Sequence, residues 1–63
     1  MSDKAVDDML RTEWARRTKE LARETRALTK PHMTINSYKA RLNIIAIHAG
    51  RLREIIAELD CLP

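Results

Sequence analysis

The sequence predicts an all-α chain, an antiparallel two-helix hairpin that homodimerises into a four-helix bundle. Three observations predict it. Apolar residues recur at alternating intervals of three and four, the pattern of a helical seam. One strong breaker, Pro31, divides the chain into two halves of similar length. The chain has 63 residues, and below roughly 70–80 residues a lone core seldom contributes more than about 3–5 kcal/mol, so folding needs a helper. Cys61 is the sole cysteine and no Cys/His cluster offers a structural zinc site, which leaves oligomerisation as that helper.

The first helix is expected over about 4–29. Ser2 or Asp3 can cap it, with Asp7 and Asp8 favourably placed in its opening turns. Its stripe, Val6, Leu10, Trp14, Thr18, Leu21, Thr25 and Leu28, is the weaker of the two, because threonines stand at two of its positions. Lys30 precedes Pro31 and is thereby steered out of helical geometry. The second helix is expected over about 34–60, capped by Thr34 or by Asn36 and Ser37. Ile35, Tyr38, Leu42, Ile45, Ala49, Leu52, Ile56 and Leu59 form its unbroken seam. So short a loop makes the helices antiparallel neighbours in a single domain, 1–63.

Helix 2 has a second apolar face, with Ala40, Ile44, Ile47, His48 and Ile55 lying away from the seam. A helix with two apolar faces has two neighbours, and the seam residues alone can satisfy only one of them. Ala46, Gly50 and Ala57 lie between the faces, and Gly50, which costs up to about 1 kcal/mol in mid-helix, is expected to mark a close crossing. Charge gives the dimer a direction. Residues 19–46 hold six Lys/Arg and two Glu, hence +4, whereas the rest holds six Lys/Arg and seven Asp/Glu, hence −1. End-for-end pairing sets the basic loop of one hairpin beside Asp3, Asp7, Asp8, Glu54, Glu58 and Asp60 of the other.

The hydrophobic content of 44% and charged content of 33% exclude a disordered chain. No apolar run approaches the roughly 18 residues of a membrane span, and the start lacks a signal-peptide apolar region. A single thiol fits a reducing compartment, so the expected location is the cytoplasm, with no membrane partner. No catalytic residue, metal site or cofactor is expected, since Gly50 is the only glycine, excluding a glycine-rich phosphate loop, and His32 and His48 are too far apart to form a helical pair.

Two surfaces could carry function. Tyr38, Arg41, Ile44, Ile47 and Arg51 combine the aromatic, arginine and aliphatic groups that anchor protein interfaces. Arg16, Lys19, Arg23, Arg26 and Lys30 form a basic stripe on helix 1 that could track phosphates, although Glu13, Glu20 and Glu24 stand close enough to neutralise it through pairs such as Glu13–Arg17 and Arg16–Glu20. No aromatic residue interleaves the stripe to stack on bases.

The arrangement of seam, proline break and second apolar face resembles small phage- and plasmid-encoded dimeric hairpin regulators. These are the phage quorum-sensing anti-activators, which bind and inhibit a host transcription activator, and the Rop-like RNA-binding regulators of plasmid copy number. The resemblance is one of architecture and assigns no residue a role. It implies a small regulator or inhibitor that occludes a host protein, with RNA or DNA binding through the stripe as the second reading and a structural assembly adaptor as the third.

Overall fold

The computed structural model describes residues 2–62, and it is a helical hairpin built from α1 (Ser2–Ala27) and α2 (Ile35–Asp60). The hairpin is a single layer 51 × 15 × 11 Å in extent. A layer this thin cannot cover both sides of its own seam.

Both helices end where local chemistry requires. Thr34 is the N-cap of α2, its hydroxyl accepting a hydrogen bond from the Ser37 backbone N–H at 3.1 Å. Asp3, expected as a possible cap, lies instead inside the first turn of α1, where its charge suits the helix dipole, while the Ser2 alternative rests on a side chain outside the described residues. Beyond Ala27 the chain tightens into turns, Leu28 N–H donating to the Thr25 carbonyl and Thr29 N–H to the Arg26 carbonyl, each at 3.1 Å. Pro31 follows, and His32 at φ 71° takes the left-handed conformation that reverses the chain. Histidine is among the non-glycine residues that tolerate this region best. The Tyr38 hydroxyl donates to the Lys30 carbonyl at 3.0 Å and pins the loop onto α2.

The helices meet along a line that is rotated from the expected seam. Tyr38, Ile45, Leu52 and Leu59 face α1 as anticipated, but the positions between them are Arg41, His48, Ile55 and Leu62. The residues expected there stay outside, with Ile35 69%, Leu42 53% and Ile56 54% exposed. Ile55, expected on the second face, is the most buried side chain at 0% exposure. On α1 the shift is the same, since Thr25 and Val6 are exposed while Arg17 is half-buried and Glu24 is buried.

The physical reason is the poverty of α1. Its Leu10, Trp14, Leu21 and Leu28 continue through either Thr18 and Thr25 or Arg17 and Glu24 with equal regularity. The charged alternative forms polar bonds across the hairpin that the threonines cannot, so α2 turns its own polar positions inward to meet it. The apolar core is small in consequence: Leu10, Leu52 and Ile55, with Trp14, Leu21, Leu59 and Leu62 packed against them. Gly50 is not a crossing point within the hairpin, since nothing lies within 4 Å of where its Cβ would stand.

Candidate functional site

Three polar bridges cross the hairpin. Nearest the open end, Arg51 grips Glu13 with a two-pronged fork, Nε to Oε2 at 2.7 Å and Nη2 to Oε1 at 2.8 Å, and Arg17 adds a bond to the same carboxylate at 3.3 Å. Glu54 at 3.1 Å and Glu58 at 3.4 Å hold the remaining nitrogen of Arg51. In the middle, Arg17 Nη1 lies 3.1 Å from His48 Nδ1. Arginine has only donors, so in this contact His48 accepts at Nδ1. Towards the loop, Arg41 Nη1 donates to Glu24 Oε2 at 2.7 Å, and Glu24 is the one buried charged residue among the described residues.

The strongest electrostatic effect falls on Glu13. Hydrogen bonding from Arg51, only partly opposed by desolvation and reinforced by the positive charges of Arg51 and Arg17, lowers its pKa from 4.5 to about 2. The same fork raises Arg51 further above its ordinary range.

These bridges divide the residues expected to bind a protein partner. Arg41, Arg51 and Tyr38 are engaged inside the hairpin, each bonded to a group on α1 or in the loop. Ile44 and Ile47 remain outward-facing, at 37% and 66% exposure. Ile44 shares a groove with Arg41, Lys30 and Ser37 that faces the loop end.

The basic stripe keeps more of its charge than the sequence led us to expect. Glu13 and Glu24, two of its three prospective counterions, turn towards α2, and the Glu13–Arg17 pair forms beside the stripe rather than within it. Glu20 makes one long contact at 3.9 Å, to Arg23, and the expected Arg16–Glu20 pair is not among the ion pairs of the described residues. Lys19, Arg23, Arg26 and Lys30 line one groove together with Arg41. Arg16 stands apart, beside Arg17, Glu20 and His48.

A further feature was concealed in the expected seam. Ile35, Leu42, Ala49 and Ile56 stand at intervals of seven and form an exposed row along one flank of α2. Beside Ile56, the side chains of Trp14, Leu59 and Arg11 frame a shallow apolar notch. Comparison of the chain with known protein families, with curated proteins and with solved structures finds no match. Among the described residues no group of three or more His, Cys, Asp and Glu side chains is placed to hold a metal ion, and no helix is long and apolar enough to cross a membrane.

The cross-helix bridges escaped the sequence reading because nothing local announces pairs that lie 17, 31 and 38 residues apart. One signal was present. Glu13 and Arg51, Arg17 and His48, and Glu24 and Arg41 stand at nearly equal distances on either side of the loop, so an antiparallel hairpin must bring each pair level.

Proposed function

We propose that this chain is a small cytoplasmic regulator of the anti-activator type, a homodimeric four-helix bundle that works by protein–protein binding and not by catalysis. The observation that carries the proposal is the exposed row of Ile35, Leu42 and Ile56, as many large aliphatic side chains as the hairpin buries among the described residues. Covering a fully exposed aliphatic side chain contributes roughly 1.5–3 kcal/mol, so three from each copy outweigh any single surface ion pair, worth about 0–1 kcal/mol. Self-association uses one flank, and Ile44 and Ile47 are left on another for a partner. The mechanism is occlusion: a stiff dimer covers the surface through which its target would assemble or bind DNA.

The basic groove favours a second reading, nucleic-acid binding, because the carboxylates that would have neutralised it are drawn into the hairpin seam. One experiment separates the two. The purified chain is used as bait in host lysate with and without nuclease, alongside Ile47→Asp and a variant with Arg16, Lys19, Arg23 and Arg26 all replaced by Gln. Protein capture that survives nuclease, is lost in Ile47→Asp and is retained in the Gln variant supports occlusion, provided sedimentation shows each variant still dimeric. Capture abolished by nuclease and by the Gln substitutions supports the second reading and overturns the first.

A further inference from the structure

Resting on the self-association proposed above, we infer that the surface covering the Ile35–Ile56 row is the same row of a second copy, with α2 packed antiparallel on α2 about a two-fold axis level with Ile45 and Ala46. The row is self-complementary in that orientation. Ile35 falls level with Ile56 of the second copy, and Leu42 with its Ala49, so a large side chain meets a small one at the centre and two large ones meet at each end. Ile35, the most exposed member at 69%, then reaches the notch framed by Trp14, Ile56 and Leu59 of the copy. A knob at the loop end and a hole at the open end of one surface can be joined twice only by end-for-end pairing.

Helix α1 fits the same axis. The bridges Glu13–Arg51, Arg17–His48 and Glu24–Arg41 fix which residue of α1 lies level with which residue of α2. On that register Trp14 falls level with Thr25 of the second copy and Leu21 with its Thr18, again large against small. The threonines that weaken the α1 stripe inside one hairpin thereby make room in the dimer.

Charge and area agree with this arrangement. The loop half of the hairpin carries +4 and the rest −1, so stacking loop upon loop sets like charges together and end-for-end stacking separates them. A face 51 Å by 15 Å has an outline of about 750 Å² per copy, large enough to hold a standard stable interface, which buries ~800 Å² of accessible surface per partner once side-chain relief is counted. On the outer edge Lys39 comes within one residue of Arg53 of the copy, and both are exposed and long enough to turn into solvent. The Ile44 and Ile47 patch is a poorer site for self-pairing, because it ends at Arg51 and Glu54. In the inferred dimer both copies of that patch and both basic grooves stay open.

Cysteine cross-linking tests the inference in the full chain, with Cys61→Ser removing the exposed native thiol. Ala46→Cys places one thiol beside the axis in each copy, whereas His32→Cys places two thiols about 40 Å apart, at 1.5 Å of rise per residue. A short bismaleimide should link most Ala46→Cys chains into covalent dimers and leave His32→Cys chains unlinked. Linked His32→Cys chains would overturn the inference in favour of loop-to-loop stacking. If neither variant links although sedimentation shows a dimer, the row is not the interface and self-association stands. A folded monomer at micromolar concentration would overturn both.

Discussion

At the open end of the hairpin Leu10, Leu52 and Ile55 bury one another beneath Trp14, Leu59 and Leu62, whereas at the loop end the helices meet through Glu24–Arg41 and Tyr38 holds the Lys30 carbonyl of the loop. No fully buried aliphatic side chain stands at the loop end among the described residues. The difference separates two jobs. Apolar burial is non-directional and supplies most of the energy, while hydrogen-bonded charge pairs supply little net energy but fix which residues lie level. The open end therefore carries most of the apolar stabilisation, while the loop end depends on polar bridges that, with Glu13–Arg51, set the register.

Truncation should expose this division most strongly at the open end. Ile55→Ala removes the most buried side chain and is expected to cost about 2–5 kcal/mol, enough to lower the midpoint of thermal unfolding by circular dichroism more than any other single change considered. At the loop end Arg41→Ala leaves the Glu24 carboxylate buried without its partner, at an expected cost of roughly 1–3 kcal/mol. Replacing both residues by leucine should recover part of that loss, since two apolar groups do not need each other's charge. If Arg41→Ala proves costlier than Ile55→Ala, the division of labour is wrong.

Acid should act on the open end through Glu13. Its pKa is depressed when folded, from 4.5 to about 2, so the bridge to Arg51 contributes fully above pH 4.5 and is lost as pH falls towards 2. Melting temperature should drop across that window in the natural chain and drop less in Glu13→Gln. Parallel pH profiles for the two proteins would show that the bridge is not linked to folding.

The smallest expected effect is a gain. Gly50 lies exposed with open space around its missing Cβ, so Gly50→Ala should stabilise α2 by up to about 1 kcal/mol. The inferred dimer leaves Gly50 in solvent, and the substitution should not weaken association. Weaker sedimenting dimers in Gly50→Ala would instead place a partner helix against this position.

The elements themselves were legible in the sequence because their signals are local. Pro31 ends one helix, Thr34 caps the next, and the three-and-four spacing of α2 marks a helix whose seam runs its whole length. The rotation of that seam was not legible from α2 alone. Its rows through Ile35–Ile56 and through Arg41–Leu62 both adjoin the shared residues Tyr38, Ile45, Leu52 and Leu59, and apolarity favours the first. The pairing partner decides between them, and α1 offers Arg17 and Glu24. Tyr38, Arg41 and Arg51 read as interface anchors for a related reason, since the same side chains that grip a partner protein also grip a neighbouring helix.

In the proposed dimer the row rejected by α1 becomes the surface that completes the fold. This is tested most directly by sedimentation velocity, with circular dichroism in parallel, on the natural chain and on a variant with Ile35, Leu42 and Ile56 all replaced by Gln. The natural chain is expected to be a helical dimer at micromolar concentration, and the variant a monomer with a markedly lower melting temperature. A natural chain that sediments as a stably folded monomer, or a variant that remains fully dimeric, would contradict it.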